Sequence, residues 1–483
     1  MLSGEEKVRR DRLASLNKLG IDPYPSETHR THTVADVLSQ FDVLSASAQS
    51  VTVVGRILAL RQMGGLTFIR VMDGSGTMQV VLKEDEVGEE RYKIFIDHAD
   101  VGDFFSFTGT AFTTKKGEKS VLATVATIAS KALSPLPEKW HGLSDVETRY
   151  RQRELDLIAN PEVRERLILR SRIVAAMRHF LDERGFLEVE TPILQPIPGG
   201  ASARPFVTHH NALDADLYLR VAPELYLKRL VVGGFEKIFE IGRCFRNEGI
   251  DYAHNPEFTM LELYSAFTDV ETFVHLLEEL IATAARVVGG EATDTFAPPF
   301  PRVTFRDAVL DACGVDINTV RTPKEIIAAT KKAKVAVDFE GCYGIGEYYD
   351  ALWKATAREK IIAPTWVFDY PIELKPLTKA KREDATKSAS VQLVVEGAEV
   401  VNAYYHELID PVDQRARLDE QQMLREKGSE EAQWMDEEFL SALEHAMPPT
   451  SGVGIGIDRL VAFLTKAPNL KEVILFPTLR PKV

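Results

Sequence analysis

Two neighbouring stretches of the chain, ending near Arg246 and Tyr264, alternate charged or aromatic side chains with apolar ones. Successive side chains in a β-strand point to opposite faces, so Phe258, Glu262 and Tyr264 share one face of the second stretch. Arg246 lies on the polar face of the first stretch. Buried charge is unfavourable without a partner, so two such strands side by side indicate the floor of a polar pocket. A half-solvated hairpin would give the same alternation.

A third segment, near the C-terminus, has glycines at alternate positions, at Gly452, Gly454 and Gly456. A strand face without side chains lets a flat ligand lie against the backbone. Asp458 is predicted to cap the apolar helix that follows. Arg459 lies in the first turn of that helix, where the helix dipole disfavours a cation, so an anionic ligand explains its charge better. The segment is neither a Walker loop nor a dinucleotide turn, and tight packing of helix on strand would also explain the glycines.

Together these segments resemble motifs 2 and 3 of the class II aminoacyl-tRNA synthetases, through Phe-Arg-Asn-Glu at 245–248 and Gly-Ile-Gly-Ile-Asp-Arg at 454–459. An amphipathic run at 163–184 and the stretch that follows it to Pro192 resemble motif 1, which implies a homodimer. All three motifs in order on one chain are a strong signal. Within the class, the chain most resembles the bacterial lysyl-tRNA synthetases. That resemblance rests on residues 135–143, 149–153, 199–206 and 222–229, and it is weakest at about 293–393.

The resemblance implies an α+β fold, with an N-terminal OB-fold β-barrel and a class II catalytic domain built on an antiparallel sheet flanked by helices. Five short β-rich runs within residues 51–132, with a helical insert after the third, are typical of an OB barrel or of another small five-stranded barrel. The predicted divisions are an N-terminal helical extension (1–50), an OB-fold anticodon-binding domain (51–134), a linker (135–150) and a catalytic domain (151–483) with a helix-rich insert at about 268–358.

Activating a carboxylate with ATP requires in-line alignment, neutralised phosphate charge and a held nucleobase. Arg246 resembles the arginine that bridges the amino-acid carboxylate and the α-phosphate, a double contact that suits a guanidinium. Arg459 resembles the arginine at the far end of the triphosphate, and these two are the predicted catalytic residues. The alternative for Arg246 is a structural ion pair with Glu240 or Glu248. The resemblance assigns ATP binding to Arg246, Glu248, His254, Asn255, Phe258, Gly456 and Arg459.

A lysine side chain ends in an ammonium with three donors and no acceptor, so burying it requires carboxylates. The resemblance assigns Glu262, Tyr264 and Glu407 to this ammonium. Removing one methylene changes discrimination by only ~1–3 kcal/mol, so ornithine should be the hardest analogue to reject. Glu407→Gln is expected to raise the KM for lysine steeply. The resemblance assigns lysine binding to Gly200, Glu224, Glu262, Tyr264, Asn402, Tyr404 and Glu407.

The chain departs from the family pattern at two places near these residues. Just before Glu407 it carries one extra residue, at Tyr405 or His406, so either a β-bulge absorbs it or Glu407 is displaced. Gln392 stands where the family has a metal-binding glutamate, which leaves Glu399 as the other expected metal ligand, with Glu396 as a possible substitute. We expect dependence on Mg²⁺, because ATP brings its own ion, with fewer ions bound by the protein.

In the barrel, Phe68 and Gln79 match positions where the family stacks and hydrogen-bonds an anticodon base, and Arg56 and Arg61 match nearby contacts. Phe68 could equally belong to the barrel core. Val125 stands where the family has a glutamate in the last strand, so discrimination between anticodons is less well supported than catalysis.

Composition limits the partners and the compartment. A net charge of −14 argues against a general nucleic-acid coat, but tRNA phosphates need only a local basic surface. No stretch approaches the ~20 apolar residues of a membrane span. Three cysteines without a pattern indicate neither a disulfide framework nor a zinc site, which favours a reducing cytoplasm.

The resemblance therefore implies an ATP-dependent ligase that joins lysine to tRNA(Lys), uses Mg²⁺ with ATP, and works as a homodimer in the cytoplasm. One alternative is a paralogue that lysylates a protein, against which the barrel argues. Another is a non-catalytic tRNA-binding or regulatory homologue, against which the presence of Arg246, Glu248 and Arg459 argues. A third is altered amino-acid specificity, caused by the extra residue before Glu407.

Overall fold

The computed structural model describes residues 3–137, 143–252 and 254–481. It divides into two compact units, Met1–Ser144 and Asp145–Val483. Residues 138–142 of the predicted linker lie outside the described residues, and so does part of the segment 135–143 that resembles the family. The finer division into extension, barrel, linker and catalytic domain remains a prediction.

The first unit is built around a closed five-stranded barrel with strand order β1-β2-β3-β5-β4. A helical insert follows the third strand, as predicted. The strands are β1 Ser50–Met63, β2 Leu66–Met72, β3 Thr77–Lys83, β4 Phe104–Thr113 and β5 Lys119–Ser130, and the helices are α1 Gly4–Lys18, α2 Val34–Ser39, α3 Phe41–Ser47, α4 Glu84–Val87 and α5 Glu89–His98.

Alternation along the barrel strands separates a buried interior from an outer face. In β2, Ile69 and Val71 are fully buried, whereas Phe68, just before them, is only half-buried and Arg70, between them, is exposed. Because neighbouring residues in a strand point to opposite faces, Phe68 belongs to the outer face. The interpretation of Phe68 as barrel core is therefore wrong.

The second unit contains an eight-stranded sheet of order β12-β13-β14-β15-β16-β11-β10-β6 and a three-stranded sheet of order β7-β9-β8. The strands are β6 Leu187–Glu188, β7 Leu194–Gln195, β8 Phe206–His210, β9 Ala215–Leu219, β10 Lys237–Phe245, β11 Glu257–Ala266, β12 Arg302–Thr304, β13 Thr365–Phe368, β14 Ser390–Val395, β15 Ala398–Tyr404 and β16 Thr450–Gly456. The helices are α6 Val146–Arg151, α7 Arg153–Ala159, α8 Pro161–Asp182, α9 Glu224–Val232, α10 Val270–Val288, α11 Glu291–Thr295, α12 Phe305–Cys313, α13 Pro323–Ala333, α14 Ile345–Thr356, α15 Pro411–Glu426, α16 Glu437–Leu443 and α17 Ile457–Leu464.

The central strands of the large sheet are antiparallel, and the two parallel pairs lie at its edges. Leu261, Leu263 and Val453 on one face belong to the main apolar core, together with side chains of α8, α10 and α17. Even-numbered residues of β11 point to the other face, because side chains alternate. The predicted α+β fold, a barrel plus a helix-flanked antiparallel sheet, is confirmed.

Candidate active site

A cleft of about 2490 Å³ opens on the face of the large sheet that points away from this core. Its floor comes from four adjacent strands, β15, β16, β11 and β10, held in register by backbone hydrogen bonds. Glu262 lies opposite Gly454, and Gly454 lies opposite Asn402 on its other side. Since paired residues point to the same face, the glycine strand leaves a side-chain-free strip between a carboxylate and an amide.

The arginine predicted to contact the α-phosphate lies at the edge of this floor. Arg246 follows β10, and its backbone N–H donates to the carbonyl of Pro256 at 2.9 Å. Its guanidinium lies 5.0 Å from the ring centroid of Phe258, and its Nε is buried without a hydrogen-bond partner among the described residues. Glu240 pairs with Arg220, and no ion pair within 4 Å joins Arg246 to a described carboxylate. Arg246 is therefore available to an anionic ligand.

Arg459, which also lines the cleft, is placed by the first turn of α17. Its Nη1 donates to the carbonyl of Glu399 at 3.0 Å, and its Nη2 lies 3.2 Å from Nε2 of His254. Burial lowers the pKa of Arg459. His254 also contacts Asp251, at 2.9 Å from Nδ1. Asn255 lines the cleft, but its side chain binds the backbone of Glu257 and Thr478.

The predicted cap of α17 is wrong. The helix begins at Ile457 and its N-cap position is Gly456, so Asp458 lies inside the first turn. Asp458 is buried, accepts a hydrogen bond from the backbone N–H of Thr259 at 2.8 Å and pairs with Arg170. Its carboxylate therefore ties the helix to β11 and to α8 instead of capping the helix.

Acidic side chains collect where the cleft narrows between β11 and α9. Glu262 is 4% exposed, has no described cation within 4 Å and accepts only a long hydrogen bond, 3.4 Å, from the hydroxyl of Tyr264. Burial, with added repulsion from Glu224 and Glu240, raises the pKa of Glu262 well above its ordinary value. Burial likewise raises the pKa of Tyr264. A carboxylate held this way favours a cationic ligand.

Beside Glu262 lies a buried triad that sequence reasoning missed. The ammonium of Lys228 lies 2.6 Å from Oε1 of Glu224 and 2.8 Å from Oε2 of Glu407. Burial lowers the pKa of Lys228, but the two carboxylates raise it further, so the net shift is upward. Burial raises the pKa of Glu407 in spite of Lys228. The spacing of Glu224 and Lys228, four residues apart on one helix, was the available signal.

Glu407 keeps its place through a bulge in the chain just before it. The backbone N–H groups of Tyr405 and His406 both point to the carbonyl of Ala389, at 3.0 and 3.4 Å. Two residues facing one is the geometry of a β-bulge. The N–H of Glu407 then bonds the carbonyl of Thr450 at 3.0 Å. Of the two alternatives for the extra residue, the structure therefore has the bulge, although Glu407 lies beneath the cleft wall and does not line the cleft.

Gly452 provides the space in which Glu407 and Tyr264 meet. A Cβ at Gly452 would lie 2.8 Å from Cδ1 of Tyr264 and closer still to Oε1 of Glu407. A Cβ at Gly454 would lie 3.6 Å from its nearest neighbour, Sδ of Met260. An alanine methyl group therefore has no room at Gly452 but fits at Gly454.

We expect Gly452→Ala to lower the free energy of unfolding by about 1–3 kcal/mol, the usual result of overpacking. Gly454→Ala is the matched control and should unfold like the unmodified protein, although its methyl projects into the cleft. Urea unfolding followed by circular dichroism measures both. Equal midpoints for the two variants would contradict the steric argument.

Most other residues assigned to ligands also line the cleft. They include Gly200, Glu224, Glu248, Phe258, Glu399, Asn402, Tyr404 and Gly456. Gly200 has φ +87°, and a Cβ there would lie 2.8 Å from Cβ of Glu224, so only glycine fits.

The donor set around Gln392 does not suit a resident metal ion. Gln392 donates to Oδ1 of Asn402 at 3.2 Å, and Lys375, another residue that sequence reasoning missed, donates to the same oxygen at 2.9 Å. Among the described residues, no three His, Cys, Asp or Glu side chains come together as ligands. Glu399 and Glu396 line the cleft nearby, and the ammonium of Lys375 interacts electrostatically with Glu399.

On the barrel, two of the four residues assigned to the anticodon pair across strands on the outer face. Phe68 lies opposite Arg61 in the β1–β2 ladder. Gln79 donates to Oγ of Ser120 at 2.9 Å. Arg56 donates to the carbonyl of Gly102 at 3.0 Å and lies 4.4 Å from the ring centroid of Phe104. Gln79 and Arg56 are therefore held by contacts within the barrel, whereas Phe68 and Arg61 are the two residues of this set better placed to contact a ligand.

The chain is similar to known proteins over nearly its whole length. A family model described as tRNA synthetases class II (D, K and N) matches residues 145–480, and one described as an OB-fold nucleic acid binding domain matches residues 51–129. A curated relative from Carboxydothermus hydrogenoformans, named lysine–tRNA ligase, is 49% identical over 99% of this chain and 98% of the relative. Relatives of the same name from Pelotomaculum thermopropionicum and Moorella thermoacetica are each 47% identical, over 99% and 98% of this chain and over 95% and 97% of the relatives.

Proposed function

This chain belongs to the lysine–tRNA ligases of the class II tRNA synthetases, and from this premise we propose how its residues carry out the reaction. A carboxylate oxygen of lysine attacks the α-phosphorus of ATP, and pyrophosphate leaves. The 3′-hydroxyl of the terminal adenosine of tRNA(Lys) then attacks the carbonyl of the lysyl-adenylate, and AMP leaves. No side chain forms a covalent intermediate, so the protein contributes orientation and charge.

Arg246 bridges the lysine carboxylate and the α-phosphate, where its two-pronged guanidinium fits both anions. Arg459 meets the far end of the triphosphate, and His254 and Asn255 lie over the phosphates. Phe258 stacks on the adenine, Glu248 accepts from its amino group, and the strip around Gly456 lets the nucleotide approach the backbone. Mg²⁺ enters as part of the ATP substrate.

The observation that carries lysine specificity is the charge of the narrow end of the cleft. Three carboxyl groups, those of Glu224, Glu262 and Glu407, collect around one ammonium, that of Lys228, so their ionised forms exceed it by two negative charges. Lysine brings two ammonium groups, one at each end. We assign the side-chain ammonium to Glu262 and Tyr264, which line the cleft, and to the charge of Glu407 behind them, and we assign the α-amino group to Glu224 and the Gly200 backbone. Glu407→Gln removes one of these charges and should raise the KM for lysine steeply.

Amino-acid-dependent exchange of pyrophosphate into ATP, without tRNA, tests this function. Exchange with lysine, weak exchange with ornithine and none with arginine or aspartate is the expected result. Exchange with a different amino acid would point to altered specificity. No exchange with any of the four amino acids, from a chain that still binds tRNA, would favour a regulatory homologue.

Lysine binding is expected to release protons near neutral pH. Burial keeps the pKa values of Glu262 and Glu407 high in the free protein, so both groups hold protons where ordinary carboxyls do not. An incoming ammonium stabilises the ionised forms and lowers these pKa values. The KM for lysine should therefore fall as the pH rises from about 6 to about 8.

Calorimetric titration with lysine in two buffers of different ionisation enthalpy measures the protons released. Titration with norleucine, which lacks the side-chain ammonium, is the control and should release fewer. Equal apparent enthalpies for lysine in both buffers would contradict the linkage.

We also propose that the chain forms a homodimer through α8 and the strands that follow it. Exposed apolar side chains gather there, at Ile168, Leu187, Ile193 and Leu194, each at least 40% exposed. Clustered exposed apolar side chains are typical of an interface.

The barrel face with Phe68 and Arg61 is the proposed site for the anticodon. No helix of the described chain is long and apolar enough to cross a membrane. We place the reaction in the cytoplasm because its substrates, tRNA and ATP, are available there.

A further inference from the structure

Lys375 places a buried positive charge on the cleft wall. The residue is 8% exposed and lines the cleft, and its Nζ donates to Oδ1 of Asn402 at 2.9 Å. The ammonium lies 5.0 Å and 5.7 Å from the ring centroids of Tyr370 and Tyr404. Within the described parts of the chain, no carboxylate lies within 4 Å of it.

A buried cation with no carboxylate in direct contact is unfavourable, and more distant carboxylates such as Glu399 offset only part of this cost, so a ligand that reaches the ammonium would explain its presence. Ring faces and one amide oxygen offset only part of the lost hydration. An anion arriving in the cleft would complete the pairing. The substrates of the proposed reaction supply such anions, as the phosphates of ATP and the carboxylate of lysine.

The ammonium stands beside the two positions expected to hold a metal ion. Gln392 and Lys375 donate to the same oxygen of Asn402. Glu399 pairs with Val394, two residues from Gln392 on β14, because a bulge shifts the β14–β15 register between Leu393 and Val394. Gln392 and Glu399 therefore face the cleft as diagonal neighbours.

The charges at this position balance without a metal. In the family pattern, the formal charges of two carboxylates and one divalent cation add up to zero. The formal charges of one amide, one carboxylate and one ammonium also add up to zero. With Gln392, Glu399 and Lys375, the chain has the second arrangement. A lysine is a compact point charge with three donors, which suits an ion-like role better than a planar guanidinium would.

We propose that the Lys375 ammonium replaces a protein-bound divalent cation at this wall of the cleft, and that the chain needs only the magnesium ion that enters with ATP. The proposal rests on the proposed function for the identity of the anion, but its prediction about ion binding does not. Lys375 then contacts the substrate phosphates directly, as a fixed charge that cannot dissociate.

Binding of Mn²⁺, counted by electron paramagnetic resonance, tests the proposal without any turnover. The unmodified protein should bind no Mn²⁺ tightly by itself and one per chain with a non-hydrolysable ATP analogue. The double variant Lys375→Ser/Gln392→Glu, which restores two carboxylates and removes the ammonium, should bind one more ion in each case. A second tight Mn²⁺ in the unmodified protein would overturn the proposal.

Pyrophosphate exchange at fixed ATP and increasing Mg²⁺ gives the activity readout. The unmodified protein should reach full rate near one Mg²⁺ per ATP, whereas the double variant should be about 10- to 100-fold slower there and should recover as free Mg²⁺ rises. A rise with free Mg²⁺ in the unmodified protein would contradict the proposal. Absence of exchange at every Mg²⁺ concentration would overturn the proposed function instead, and the ion count would still decide this inference.

Lys375→Met separates a ligand-binding role from a structural one. Removing a buried cation that makes no direct ion pair should raise the melting temperature of the free protein while lowering exchange about 10²- to 10³-fold, as loss of one charge-stabilising donor does. Lys379→Met is the matched control: this lysine is exposed, four residues further along the chain, and its loss should change neither quantity. A lower melting temperature for Lys375→Met with unchanged exchange would make Lys375 a structural residue and overturn the proposal.

Discussion

Replacing Arg246 with methionine is expected to lower the kcat of lysine-dependent pyrophosphate exchange by about 10³- to 10⁵-fold, the range known for arginines that stabilise a transferring phosphoryl group. The guanidinium lies over the ring of Phe258 with its Nε unpartnered, so it is positioned before the ligand arrives. Methionine keeps the apolar stem and removes the charge and the paired donors. Exchange measured at saturating lysine and MgATP gives kcat directly.

Arg243→Met is the matched control for Arg246→Met. Arg243 lies on β10, the strand that Arg246 follows, is exposed, and is 3.5 Å from Glu257 on the neighbouring strand. Its replacement should leave exchange nearly unchanged. Similar losses in the two variants, or a lower melting temperature in Arg246→Met alone, would show that the arginine holds the hairpin together instead of acting on the phosphate.

Replacing Glu262 with glutamine is expected to lower kcat/KM for lysine by about 10²- to 10³-fold, because it removes one member of a buried charge pair worth about 3–5 kcal/mol. Glutamine is nearly the same shape, so packing against Tyr264 is kept. The KM for ATP should stay the same, since we propose that the nucleotide binds further along the glycine strip. Initial rates with each substrate varied in turn separate the two effects.

Glu257→Gln is the control for the change at Glu262. It lies on the same strand, is exposed, and points to the opposite face. The melting temperature of Glu262→Gln should not fall, because the free protein loses an acid that makes no ion pair within 4 Å with a described residue. A parallel rise in KM for lysine and for ATP would mean that the substitution distorts the floor of the cleft rather than its charge.

The faces of the central strands could be predicted from the sequence because strand alternation is local. Leu261 and Leu263 are fully buried in the core, and Glu262 and Tyr264 face the cleft, as the period of two requires. The helical insert after the third barrel strand could also be predicted from local sequence. Its composition differs over a whole segment from that of the strands on either side.

Features that depend on distant partners could not be predicted. Asp458 has the residue type and position of a helix cap, yet its partners are Thr259 and Arg170, which the fold brings from elsewhere. Nothing around Lys375 in the sequence indicates a buried cation, because its burial comes from other strands. The triad of Lys228 is an intermediate case, since one carboxylate is local and the other is almost 180 residues away.

Two irregularities, one within β15 and one just after it, show how the chain can change length along a cleft without moving the side chains that face it. The first precedes Asn402 and the second precedes Glu407, and each sets an extra residue against the neighbouring chain segment. Between them, the side chains that matter keep their neighbours across the sheet. The chain can therefore gain or lose single residues at these two places during evolution while the pocket stays the same. A sequence search that requires a fixed number of residues between Asn402 and Glu407 would discard this protein. Hydrogen bonds between strands nevertheless keep the two side chains in place in the fold.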